Sequence, residues 1–149
     1  MQWLLTKIGL FYAKMLSWIS LGKLYILSDL FYFILIHIYS YRKTIIDLNL
    51  IHAFKDKRSE ELWFIRDNYY RHFADFIFET IKSISISKEE LQRRIQVHHN
   101  SYAMLKKYEE TGQHIFVVLG HYGNWEWASF VAGMETKLPS YAIYAPPSN

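Results

Sequence analysis

The chain of 149 residues has no cysteine, so disulfide bonds, thiolate metal ligands and a thiol nucleophile are excluded. Its three prolines all lie after residue 138. No internal repeat and no low-complexity linker interrupts the remainder, and the length is that of one domain. Glycine is scarce, with six in all, and Gly120 and Gly123 do not form a dinucleotide or Walker pattern, so no nucleotide site is indicated. A cleavable signal peptide is not indicated either, because no short charged start leads to an apolar core and a small-residue cleavage site. The net charge of +3 is modest, and nothing in the charge pattern points to nucleic acid.

What is present is apolar and aromatic: 51% and 18% of residues respectively, enough for a core. Charge is distributed unevenly. Residues 1–41 hold only Lys7, Lys14, Lys23 and Asp29, residues 42–112 hold 13 basic and 11 acidic groups, and residues 113–149 hold only Glu126, Glu135 and Lys137. The stretch 24–41 has Asp29 as its only charge and approaches the ~20 residues needed to cross a hydrocarbon core. Tyr25, Tyr32, Tyr39 and Tyr41 suit a membrane interface, and Arg42-Lys43 would halt a span or meet anionic head groups. The alternative is an aromatic core helix. Residues 1–41 are therefore expected to be a membrane-anchoring helical segment, with 42–149 as the N-terminal part of a domain.

The middle of the chain reads as helical. Leu62, Ile65, Tyr69, Phe73, Phe76 and Thr80 recur at helical steps and predict one helix from about Ser59 to Lys82, with this stripe facing the core or, as the alternative, lipid. Ser87 and Glu90 form a capping-box pattern that opens another helix, and a third is expected to end before Gly112. His98 and His99 diverge on any regular element and have no third ligand at metal spacing, so no metal is expected. His72, beside the stripe and near Asp75, reads as a structural histidine. The mixed run Lys55-Asp56-Lys57-Arg58 reads as a solvated loop, with a basic face suited to an acidic carrier protein.

The most informative run is Gly120-His121-Tyr122-Gly123-Asn124-Trp125-Glu126-Trp127. On a regular helix His121 and Glu126 would point ~140° apart at ~100° per residue, so they can cooperate only if His121 lies in a loop and Glu126 opens a helix. The apolar run Ile115-Phe116-Val117-Val118-Leu119 is suited to a buried strand before that loop, Gly120 and Gly123 to a tight turn, and Asn124 to a helix N-cap. A second strand is expected over residues 141–145. Helices followed by strand, helix and strand predict an α/β fold with parallel strands.

The run GHYGNWEW after an apolar strand resembles the His-x-x-x-x-Asp/Glu block of the lipid A biosynthesis (late) acyltransferases, a branch of the wider glycerolipid and lysophospholipid acyltransferase superfamily. Tyr25-Ile26-Leu27-Ser28-Asp29-Leu30-Phe31-Tyr32 looks like the family's membrane segment. Tyr70-Arg71-His72-Phe73-Ala74-Asp75 with Glu79-Thr80-Ile81-Lys82 looks like the helix before its catalytic block. The resemblance implies an enzyme without a cofactor that moves a fatty acyl chain from acyl carrier protein or acyl-CoA to a hydroxyl of a lipid A precursor. It places that enzyme at the cytoplasmic face of a bacterial inner membrane. His121 is then the general base, Glu126 its orienter, and the backbone N–H groups of Gly123 and Asn124 the candidate oxyanion donors. No serine or cysteine at the motif is placed to form an acyl-enzyme.

Two departures from the family accompany the resemblance. In Tyr144-Ala145-Pro146-Pro147, Ala145 stands where a basic residue usually precedes a proline. The chain also ends near the middle of a typical member, so it is expected to be the N-terminal half of an acyltransferase, inactive alone. Two further readings stay open: an acyltransferase for another amphiphilic acceptor, a lysophospholipid or an amino-lipid, and a non-catalytic membrane-associated fragment.

Overall fold

The computed structural model describes residues 2–143. Among these the chain forms seven α-helices and one π-helical turn, in two compact units that divide between Ile86 and Ser87.

In the first unit, α1 (Gln2–Ser17) and α2 (Leu21–Phe33) are followed by the π-helical turn Ile34–Ile38, α3 (Lys43–Ala53) and α4 (Ser59–Lys82). The continuous helical stretch Leu21–Ile38, with 18 residues and a mean hydropathy of 1.6, is long and apolar enough to cross a membrane. Ser40 and Arg42 adopt positive φ of 46° and 49°, and these left-handed residues turn the chain between the π-helical turn and α3.

The core lies where α2 meets α4. Tyr32, Leu35, Tyr70 and Ala74 are buried together, with Phe31, Ile36, Ile46 and Phe73 packed around them. The Tyr70 hydroxyl donates to the Tyr41 carbonyl at 2.5 Å, which satisfies the polar end of a buried ring. One Arg66 nitrogen donates to both oxygens of Asp47, at 2.8 and 3.0 Å, and ties α3 to α4. Lys82 donates to the carbonyls of Ser17 and Ile19 at 2.8 and 3.1 Å, and the Ser85 hydroxyl also bonds Ser17 O. These donors take carbonyls at the end of α1 that a helix leaves without internal partners.

The bounds of α4 are those its periodicity predicts. Its buried residues, however, are Tyr70 and Ala74, while Leu62, Ile65, Phe73, Phe76 and Thr80 are half-buried and Tyr69 is exposed. The packed face is rotated away from the apolar stripe because Tyr25, Ser28 and Tyr32 of α2 bond carboxylates on the adjoining face of α4.

The second unit contains α5 (Lys88–Arg94), α6 (His99–Glu110) and α7 (Trp125–Met134). The predicted N-cap of α5 is present, with the Ser87 hydroxyl accepting from Glu90 N–H at 3.2 Å. After α6, Gly112 takes the positive φ of 66° that suits glycine beyond a helix end.

The α/β expectation is overturned: the described residues contain helices and no strand. Residues 115–119 have no regular structure, and Phe116 and Val118 are 86% and 92% exposed instead of buried. Residues 141–143 likewise form no strand, and Tyr144 and Ala145 lie outside the described residues. A strand exists only as part of a ladder, and among the described residues no neighbouring segment takes up the N–H and C=O groups of either run.

Candidate active site

The motif is assembled around the N-terminus of α7. Tyr122 N–H bonds the Gly120 carbonyl at 2.8 Å, and Gly123 adopts φ 58°, a conformation that disfavours a side chain. Asn124 then caps the helix as its sequence position predicts, its side-chain oxygen accepting from Trp127 N–H at 3.0 Å. Glu126 falls in the first turn of α7 and His121 in the loop before it, the arrangement their spacing requires.

Packing within this unit fixes the helix. Trp127 and Val131 are buried on one side of α7, and Leu91 of α5 is buried as well. Gln92 donates to the Glu135 carboxylate at the far end of α7. Glu109, at the end of α6, accepts from the Thr136 hydroxyl and from Lys137 N–H, and these two donors hold its carboxyl below the usual carboxylate range. Trp127 therefore serves the interior of the unit.

His121 is exposed, and its ring meets Trp125 edge-on, with centroids 4.7 Å apart and planes at 63°. His121 and Glu126 are neighbours at one helix terminus, with the tryptophan ring against the imidazole. Gly123 is exposed and Asn124 half-buried at the same terminus, the positive end of the α7 dipole. Among the described residues, no three histidine or carboxylate side chains gather as a metal site would require.

A histidine before a helix whose first turn carries a glutamate, with backbone N–H groups at that terminus, has the components of acyl-transfer chemistry. The chain belongs to the bacterial lipid A biosynthesis acyltransferase family, whose model matches residues 3–149. Membership implies an acyl donor and a lipid acceptor in general terms. Comparison with curated proteins and with solved structures finds no match.

Sequence reasoning missed one feature of the first unit. Asp67, Arg71, Asp75 and Glu79, four residues apart in turn on α4, face the hydroxyls of Tyr32, Ser28 and Tyr25. The signal was available as a row of hydroxyls at steps of three and four inside the apolar segment.

Proposed function

We propose that the protein transfers a fatty acyl chain from an acyl thioester, carried by acyl carrier protein or coenzyme A, to a hydroxyl of a lipid A precursor. Residues 1–41 attach it to the cytoplasmic face of the bacterial inner membrane, and residues 42–149 contribute to the transferase domain. Family membership over residues 3–149 carries this reading, and the position of His121 and Glu126 at one helix terminus supports it.

His121 takes the proton of the acceptor hydroxyl as its oxygen attacks the thioester carbonyl. The tetrahedral oxyanion is met by the backbone N–H groups of Gly123 and Asn124. Collapse breaks the carbon–sulfur bond, and the imidazolium returns its proton to the departing thiolate. Glu126 orients the imidazole and stabilises the charged form it takes once it has accepted the proton.

The test uses bacterial membranes bearing an active parent enzyme that contains this chain, with labelled acyl carrier thioester and candidate acceptors. His121→Ala is expected to lower turnover by ~10²–10⁴-fold with carrier binding retained. Glu126→Gln should cost no more, and the double variant little more than the worse single one. A His121→Ala rate near that of the parent, or fully additive losses, would defeat the cooperating pair. A labelled lysophospholipid or amino-lipid product would transfer the same chemistry to another acceptor.

A further inference from the structure

The helix apolar enough to cross a membrane is joined along its length to one that is not. Tyr25 donates to Glu79 at 2.8 Å, Ser28 to Asp75 at 2.6 Å and Tyr32 to Asp67. Arg71 donates to the Tyr32 hydroxyl at 3.1 Å and to Asp67 at 3.0 Å, and its guanidinium lies 4.1 Å from the centre of the Tyr32 ring. Partners ascend α2 as they descend α4, so the two helices run antiparallel. If α2 crossed a bilayer with this seam intact, three carboxylates and an arginine would enter hydrocarbon beside it. If it crossed alone, its hydroxyls would lose their acceptors in a medium that offers none.

Other surfaces are suited to lipid. Most of α1 is exposed although apolar, with Trp3, Leu5 and Phe11 uncovered and Trp18 uncovered just after it, and α2 presents Ile26, Leu30 and Phe33 on the side away from its buried residues. Before the exposed Asp29 of α2 the charges are of one sign: Lys7, Lys14 and Lys23. Tryptophan near both ends of α1 suits the boundary between head groups and acyl chains, and the lysines suit anionic head groups.

We propose that α2 does not span the membrane, and that the first unit is monotopic. It embeds α1 and the outer face of α2 in one anionic phospholipid leaflet, while the seam with α4 stays out of the hydrocarbon centre. This placement rests on the membrane attachment proposed above.

The absence of native cysteine makes topology measurable. Gly22→Cys and Thr44→Cys flank the apolar stretch, and a Cβ at Gly22 meets open space. Each variant of the full chain is made in bacterial cells and treated with a membrane-impermeant maleimide, in spheroplasts and in inverted membrane vesicles. Both cysteines are expected to react from the same face. Reaction from opposite faces overturns the one-leaflet placement while attachment stands. Recovery of the protein in the soluble fraction at low and high salt defeats attachment, and this placement with it.

The lipid choice has its own measurement. On vesicles of phosphatidylethanolamine and phosphatidylglycerol, Lys7→Gln combined with Lys14→Gln is expected to weaken partition about 25-fold, roughly five-fold per lysine. On phosphatidylcholine vesicles the variant and parent should bind alike. Equal binding on the anionic vesicles would overturn the anionic leaflet as the occupant.

Discussion

Ala74 is fully buried among Tyr32, Leu35 and Tyr70, where a larger side chain has nowhere to go without moving α2. Ala74→Leu is therefore expected to destabilise the first unit by about 1–3 kcal/mol and lower its melting temperature by several degrees. A thermal melt followed by circular dichroism checks this, and an unchanged or raised midpoint would refute the packing. Asp67 carries the pH dependence of the same interface. Burial opposes its ionisation, but hydrogen bonds from Tyr32 and Arg71 outweigh that and hold its carboxyl below the usual range. Because the folded value lies below the unfolded one, the stabilisation is full above about pH 4 and is lost as pH falls through the folded value. Urea titrations from neutral to acid pH should show this loss in the parent and a shallower one in Asp67→Asn; equal slopes would remove Asp67 from the account.

Among the elements, α7 depends most on its entrance. Asn124→Ala removes the cap bonded to Trp127 N–H and should cost about 1 kcal/mol. Gly123→Ala forces a side chain into φ 58° and should cost about 1–2 kcal/mol. Either change should speed amide exchange in the first turn of α7, while α4 keeps its protection. Equal protection of that turn in parent and variants would mean that the entrance does not hold the helix. Ser87, Gly112, Gly123 and Asn124 were all legible in the sequence because caps and turns are settled by a few adjacent residues. Residues 115–119 were not. An apolar β-branched run favours a strand, but the ladder that makes it one belongs to a partner outside the run, and no such partner stands among the described residues.

At the scale of the whole molecule, protection should follow these contacts. The α2 and α4 seam combines buried rings with bonded carboxylates, whereas residues 113–119 and 137–143 have no regular structure. Hydrogen exchange is expected to be slowest in α4 and much faster through both irregular segments. Comparable protection of 115–119 would show that the run is paired in solution and restore a strand there.

By itself the sequence determined the bounds of α4, the caps of α5 and α7, the placing of His121 in a loop before the turn that carries Glu126, and the family to which the chain belongs. Periodicity, capping and turn chemistry act over neighbouring residues, so each can be read one segment at a time. Only the tertiary structure decided which face of α4 is buried, because that depends on the hydroxyls α2 brings to Asp67, Asp75 and Glu79. It likewise set the His121 ring against Trp125 and left Phe116 and Val118 in solvent. An apolar side chain is buried, and a polar one satisfied, only by the surface that comes to meet it, and that surface lies elsewhere along the chain.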